Sequence, residues 1–195
     1  MSRVPELVGK KVILTELEPK YFADVIRWRN NPELNKYINQ PFTLTMELEE
    51  EWYRKTYLRD DTQVLFVMLD KDTGKPFGTM GYIDYDSDKH ICISARLMAG
   101  EQEYQGSAQL IEGLLIFFDY VYHKLGVERI YSHVVIENKA SLRLQKRLGL
   151  VPHDGEPYFP ERLHDSSFPM VEIIGTPETF DAGRAKILKM LEGIL

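Results

Sequence analysis

The stretch Glu-Tyr-Gln-Gly-Ser-Ala-Gln-Leu-Ile-Glu-Gly at residues 103–113 joins a strand-like segment to a strongly periodic apolar helix. Backbone N–H groups in the first turn of a helix lack an intrahelical acceptor, and the helix dipole adds partial positive charge there. Gly106 has no side chain and Ala108 has only a methyl group, so a bulky anion can approach the main chain closely. The stretch therefore predicts a phosphate site at Gly106 to Gln109.

The helix after this turn has the clearest periodicity in the chain. Its apolar residues follow the i, i+3, i+4, i+7 spacing of one buried face, and Gly126 ends it. They are Ile111, Leu114, Leu115, Phe118, Val121, Tyr122 and Leu125. A strand at Val127 to Ile136 follows, and then a helix that Asn138 caps and Gly149 ends.

Before the turn, the residues from His90 to Met98 alternate as a strand, which we count as the fourth. The alternation predicts that one face carries His90, Cys92, Ser94 and Arg96. The remaining strands are predicted at Lys11 to Leu17, Gln63 to Leu69, Phe77 to Tyr85 and Val171 to Ile174.

Further helices are predicted from Pro19, at Thr45 to Leu58 and from Pro177 to Leu195. The last is amphipathic and is expected to bury Phe180, Ile187, Leu188 and Leu191 against the domain or against a second subunit, as in a homodimer. Strands and helices alternate without a linker or an internal repeat, so the chain reads as a single α/β domain over residues 1–195.

Composition narrows the class of function. A net charge of -6 and a pI near 5.4 argue against nonspecific binding to nucleic acid or to a membrane surface. Cys92 is the only cysteine and no signal-like leader precedes Val12, which favours a cytoplasmic protein. No group of His and Cys residues has metal-ligand spacing, so no metal site is expected.

Three motifs occur in a recognisable order. Glu-Tyr-Gln-Gly-Ser-Ala at 103–108 is similar to the pyrophosphate loop Q/R-x-x-G-x-G/A. Val-Glu-Arg-Ile at 127–130 precedes Glu-Asn-Lys-Ala-Ser at 137–141 and Lys-Arg-Leu-Gly-Leu at 146–150, and Trp-Arg-Asn-Asn-Pro-Glu stands at 28–33. With these motifs the chain resembles the GNAT superfamily of N-acetyltransferases, and within it the branch of ribosomal-protein N-terminal acetyltransferases and amino-sugar or polyamine N-acetyltransferases.

The resemblance implies a mixed, mostly antiparallel sheet that is flanked by helices and splayed between its fourth and fifth strands, with the terminal helix as an addition. It implies acetyl-CoA as co-substrate, no metal, and direct attack of a primary amine on the thioester. Cofactor contacts are implied at Met98, Gln105, Gly106, Ser107, Ala108, Gln109, Asn138, Ser141 and Lys146.

The chain departs from the family pattern at three places. Glu103 stands where Gln or Arg is usual, and we expect its side chain to point away from the phosphates. Gln145 stands where many members have a proton-donating tyrosine, and the fourth strand lacks a carboxylate. By elimination His90 becomes the candidate base. The resemblance makes Ser141 the candidate donor to the thiolate. Cys92 and His133 are interpreted as structural.

The acceptor is open at this point. We favour a small amine such as a nucleotide-linked amino sugar or a polyamine. The alternatives are a protein amino terminus, an aminoglycoside-like compound, or a non-catalytic member of the fold that only binds CoA or another nucleotide.

Overall fold

A computed structural model of the chain describes residues 3–38, 40–155 and 169–192. Within them the strands form one eight-stranded sheet in the order β1-β2-β3-β4-β5-β6-β8-β7. The strands are β1 (Leu7–Val8), β2 (Val12–Glu16), β3 (Val64–Asp70), β4 (Pro76–Asp86), β5 (Ile91–Ala99), β6 (Arg129–Val135), β7 (Val151–Pro152) and β8 (Met170–Gly175). Neighbouring strands are antiparallel except β5 and β6, which are parallel.

The helices flank this sheet. They are α1 (Phe22–Arg29), α2 (Pro32–Asn35), α3 (Met46–Lys55), α4 (Ala108–Asp119), α5 (Lys139–Arg147) and α6 (Pro177–Met190). Helix α4 continues into a wider turn at Tyr120–Lys124 and stops at Gly126, whose φ of 72° is left-handed. None of the described helices is long and apolar enough to cross a lipid bilayer.

The sheet separates two apolar layers. Helix α4 packs on one face through Leu114, Phe117 and Phe118, which share a core with Leu14 and Phe66. Helices α1 and α3 cover the opposite face, where the second core consists of Leu17, Phe22, Val25, Trp28, Tyr57, Leu65 and Val67. Strand β3 joins the two layers, because Phe66 and Met68 belong to the first core and Leu65 and Val67 belong to the second.

The parallel pair comes apart after three residue pairs. Ile91, Cys92 and Ile93 pair with Arg129, Ile130 and Tyr131, and all three are buried on β5. From Ser94 to Ala99 β5 has no partner on this side among the described residues, and each of these residues is partly exposed. The predicted α/β fold, with its splay between the two strands around His90–Met98 and Val127–Ile136, is confirmed.

Helix α6 confirms part of the amphipathic prediction. Phe180 is fully buried and Ile187 is 7% exposed, whereas Leu191 packs only partly against the core. Leu188 is 42% exposed, so it is not buried against the domain, and its burial against a second subunit stays a prediction. The helix ends at Met190, and the predicted final residues 193–195 lie outside the described ranges.

Replacing Phe180 with alanine tests the attachment of α6. Its ring packs against Phe118 and Tyr122, so we expect Phe180→Ala to lower the free energy of unfolding by about 3–5 kcal/mol in urea titrations. Leu188→Ala on the exposed side of the same helix is the matched control and should cost about 1 kcal/mol or less. Equal losses in both variants would contradict this packing.

Candidate functional site

The turn between β5 and α4 presents backbone N–H groups to one edge of the sheet. Gly106 has φ 74°, and a Cβ built on it would meet no atom within 4 Å. Ser107 caps α4, since its Oγ accepts a hydrogen bond from the Leu110 N–H at 3.1 Å. The N–H groups of Gly106, Ala108 and Gln109 have no acceptor among the described residues. These three donors and the open space beside Gly106 form a cradle for an anion.

Two other amides of the predicted phosphate loop are already engaged. The Gln105 N–H donates to the Gln102 carbonyl, and the Ser107 N–H donates to the Tyr104 carbonyl, both at 3.1 Å. The side chain of Gln109 donates to Asp70 Oδ2 at 3.2 Å. The loop is therefore held in shape by its own hydrogen bonds, and only part of the predicted set of amides is available to a ligand.

The carboxylates beside this loop are paired with cations. Lys75 Nζ lies 2.7 Å from Glu103 Oε1, and this hydrogen bond keeps the pKa of Glu103 below its usual value. Glu101 accepts from Trp28 Nε1 at 3.0 Å and also binds Arg27. The pairing reduces the repulsion that these carboxylates would exert on a bound phosphate.

Trp28 also fixes where α1 meets the end of β5. A Cβ on Gly100 would lie 2.2 Å from the indole, so the ring rests directly on the main chain there. Met98 packs against the same cluster from β5. The tryptophan of the Trp-Arg-Asn-Asn-Pro-Glu motif thus ties the amino-terminal helices to the edge of the cleft.

Helix α5 brings the second group of predicted residues to the same edge. Parallel strands end at the same side of a sheet, so the helices that follow β5 and β6 both begin there. Asn138 Oδ1 accepts from the Ser141 N–H, and Gln145 Nε2 donates to Ser141 Oγ, each at 3.1 Å. Ser141 is therefore oriented while its own O–H has no acceptor among the described residues. Lys146 is exposed on the same helix.

His90 lies away from these residues. It precedes β5 in a turn with φ 54°, and its carbonyl accepts the N–H groups of Glu128 and Arg129. The prediction that it shares a strand face with Cys92 and Ser94 is therefore wrong. His90 stands six positions before Arg96, which is about 20 Å in an extended strand, and the paired part of β5 and β6 lies between them. The structure does not bring His90 together with the cleft.

Cys92 and His133 have partners that fit a structural role. Cys92 is 1% exposed in the core, and burial raises the pKa of its thiol. His133 Nε2 lies 2.8 Å from Glu172 Oε2, and His153 Nδ1 lies 2.6 Å from the other oxygen of this carboxylate. The described parts of the chain contain no cluster of three His, Cys, Asp or Glu residues arranged to hold a metal ion.

Sequence reasoning missed a group of charged residues under the amino-terminal helices. Arg29 ends α1, Glu49 lies in the first turns of α3, and Arg96 lies on β5 within the open segment of the cleft. Glu49 is only 1% exposed. A signal was present, because Glu49 precedes Trp52 and Tyr53 by three and four residues and so shares their helix face.

A β-bulge aims Arg96 toward this group. The register of β4 with β5 shifts between Thr79 and Gly81, and Arg96 has φ 60°. Its Nη2 donates to Gln63 Oε1 at 2.6 Å, and its guanidinium lies 4.9 Å from the centre of the Trp52 ring. Burial lowers the pKa of Arg96 to about 10, although it remains charged at neutral pH.

The Glu49 carboxyl is in an unfavourable environment for an anion. Burial raises its pKa, and the nearby charges of Arg29 and Arg96 oppose that shift only in part. A folded-state pKa above the unfolded value means that the ionised carboxylate destabilises the protein once pH exceeds the unfolded pKa. The penalty increases until pH passes the folded pKa.

Glu49→Gln should therefore be at least as stable as the wild type, with a difference that depends on pH. We expect equal free energies of unfolding at about pH 4 and a more stable variant at about pH 7, measured by denaturant titration. Glu50→Gln changes the exposed neighbour on the same helix and should show no such difference. A destabilised Glu49→Gln at neutral pH would mean that the two arginines stabilise the carboxylate.

Comparison with known proteins places this site in a family. Residues 11–151 match the family model described as acetyltransferase (GNAT) domain. An N-acetyltransferase 9-like protein of Nematostella vectensis is 28% identical over 153 residues, which cover 73% of this chain and 76% of that protein. The alpha/beta-tubulin-N-acetyltransferase 9 of Mus musculus is 22% identical over 152 residues, or 73% of this chain and 62% of that protein.

Two solved structures show the same fold. Spermidine N-acetyltransferase from Vibrio cholerae, in complex with CoA and spermine, superposes with a TM-score of 0.73 at 19% identity over 88% of this chain and 99% of that chain. FdhC, described as a nucleotide-linked sugar GNAT, has a TM-score of 0.74 at 17% identity over 94% and 97%. The family model covers most of the sheet that forms the cleft. This match shows that the chain belongs to the GNAT family of acetyltransferases and is an acetyl-CoA-dependent N-acetyltransferase.

Proposed function

We propose that acetyl-CoA binds in the cleft between β5 and β6 and that a small primary amine is acetylated there. The observation that carries this placement is the anion cradle at the mouth of the cleft, where the amides of Gly106, Ala108 and Gln109 lack acceptors. The pyrophosphate would accept their hydrogen bonds. The pantetheine arm would then follow the unpaired edge of β5 from Met98 toward Ser94.

The residues on α5 would complete the cofactor site. Asn138 and Ser141 begin this helix at the same edge of the sheet, and the exposed Lys146 can approach a phosphate of CoA. Gln105 and Ser107 would contribute through loop shape, because their amides are engaged within the turn. This set of donors fits a phosphorylated, extended co-substrate.

The reaction needs few protein groups. The neutral amine attacks the thioester carbonyl carbon, the C–N bond forms, and the C–S bond breaks as the amine passes its proton to solvent water. An N–H on the unpaired edge of β5 can stabilise the oxyanion. The Ser141 O–H is oriented by Gln145 and can donate a proton to the departing thiolate, which leaves as CoA, and Ser141 regains a proton from water.

Two classes of amine are candidates for the acceptor. A small amine, either a polyamine or a nucleotide-linked amino sugar, is the first candidate, as the names of the two solved structures illustrate for those proteins. A protein amino terminus is the second, since the related mouse protein carries the name of a tubulin acetyltransferase. Both candidates use the same cleft and the same chemistry.

Release of free thiol from acetyl-CoA separates these candidates. The assay uses spermidine, a nucleotide-linked amino sugar and a short peptide with a free amino terminus as parallel acceptors. Turnover with at least one of them supports the proposal, and the preferred acceptor identifies the class. Tight CoA binding without turnover on any amine would favour a member of the fold that binds CoA without catalysis.

Gly106→Val tests the anion cradle. Valine would strain a left-handed residue and place methyl groups where the phosphate should lie, so we expect CoA affinity to fall at least tenfold in calorimetry. Gly126→Val is the matched control, because Gly126 has φ 72° and equally open surroundings but lies beyond the other end of α4. Similar CoA affinity in the two variants would place the pyrophosphate elsewhere.

Ser141→Ala and His90→Ala test the proton transfers. We expect kcat of Ser141→Ala to fall about 10²-fold, the usual loss when a general acid is removed. His90→Ala should keep the rate and the pH profile of the wild type, because His90 lies beyond the paired end of the cleft. A lost limb near neutral pH in His90→Ala would restore it as the base.

A further inference from the structure

The most unusual feature outside the cofactor cradle is the charged group of the buried Glu49 and the partly exposed Arg29 and Arg96, which we call the charged triad. It lies beneath α1 and α3, against the open segment of β5 where the proposed function places the thioester. The inference below rests on that proposed function, because it concerns the acceptor half of the same cleft.

The members of the triad are close enough to interact electrostatically but are not paired. Arg29 and Arg96 both act on the Glu49 carboxyl through space, yet no ion pair joins them among the described residues. Glu49 Oε1 and Arg96 Nη1 are fully buried and have no hydrogen-bond partner. Glu49 is almost completely removed from solvent, with only 1% of its surface exposed.

Buried charges of this kind are costly when nothing satisfies them. Removing an ion from water is compensated only when it has good partners, and an unpaired buried group loses most of that compensation. Within the triad, the guanidinium of Arg96 is held by its hydrogen bond to Gln63 and by its contact with the Trp52 ring. Unpaired charges in a preorganised site are expected when their partner is a group of the substrate, which pairs with them on binding.

The hydrogen-bonding groups of the triad determine which kind of ligand can bind there. The arginines offer N–H donors with positive charge, and Glu49 offers an acceptor oxygen. Two guanidinium charges and one carboxylate leave a single positive charge in excess. A ligand that satisfies every member needs an anionic group for the arginines and an N–H group for Glu49.

We infer that the charged triad binds an acceptor that carries a carboxylate or phosphate close to its primary amine, with the anion on Arg29 and Arg96 and the amine on Glu49. The contacts hold the amine beside the open edge of β5. A polyamine has no anion to offer and would be repelled by the excess positive charge. Of the small amines left open above, the triad therefore selects an anionic one, such as an amino sugar that bears phosphate.

Binding to the CoA complex tests this without turnover. Calorimetry compares glucosamine 6-phosphate with glucosamine, and glycine with glycinamide, in which an amide replaces the carboxylate, and uses spermidine as the polycation. We expect the anionic member of at least one pair to bind tenfold or more tightly than its neutral partner, the effect of one charge-assisted hydrogen bond. The pair that discriminates identifies the source of the anion as phosphate or carboxylate.

Variants show whether the triad causes the preference. Arg96→Gln should remove the preference for the anion while the affinity for the neutral amine is kept, and Glu49→Gln should weaken both members of a pair. Arg54→Gln and Glu50→Gln, on the exposed side of α3, are matched controls and should bind like the wild type. Circular dichroism and CoA affinity verify that each variant is folded.

The outcomes separate the inference from the proposed function. Equal binding within both pairs, tighter binding of spermidine, no binding of any amine, or an unchanged preference in Arg96→Gln overturns the role of the triad. Thiol release from acetyl-CoA in the presence of any amine still supports the proposed function in those cases. Absence of thiol release with every amine, together with selective binding of the anionic amine, would instead overturn catalysis and keep the triad as a recognition site.

Discussion

The limited pairing of β5 with β6 is the constraint on which the rest of the structure depends. Parallel strands that stayed paired along their full length would close the sheet and bury the edge of β5. Pairing stops after Ile93, so the following six residues keep an open edge inside an otherwise continuous sheet. The same parallel direction brings the amino ends of α4 and α5 to one side. A cleft with helix N-termini at its mouth follows from this one departure from regular pairing.

The two halves of the cleft differ in how their charged groups are paired. At the proposed cofactor end, carboxylates near the loop are neutralised by Lys75 and Arg27, so main-chain amides would face a phosphate without strong opposition. At the proposed acceptor end, Glu49 Oε1 and Arg96 Nη1 are buried without hydrogen-bond partners, which costs stability in the free protein. Pairing at one end and its absence at the other are consistent with a co-substrate held by backbone and an acceptor held by side chains.

Local features of the site could be predicted from the sequence. The Asn138 cap depends on neighbouring residues and was predicted from a short stretch. The left-handed conformation of Gly106 and the Ser107 cap were not predicted. The splay was predicted from the resemblance to the GNAT superfamily. Leu188 is not buried against the domain, because α6 packs a narrower face on it than the apolar spacing suggested.

Non-local features could not be predicted in this way. The strand alternation around His90 gave no sign of the left-handed turn that removes it from β5. Arg29, Glu49 and Arg96 come from three segments that only the folded sheet brings together, and a bulge in β5 sets the direction of Arg96. Charged residues in an amphipathic helix usually face solvent, so the burial of Glu49 depends on tertiary packing that sequence patterns do not specify.

An NMR titration of the labelled protein with CoA tests the central claim most directly. If the cofactor occupies the splay between β5 and β6, the largest amide shifts should occur at Gly106, Ala108 and Gln109 and along Ser94 to Met98, while Gly126 at the far end of α4 stays unchanged. Shifts that leave these residues unaffected and concentrate on another part of the sheet would contradict the account.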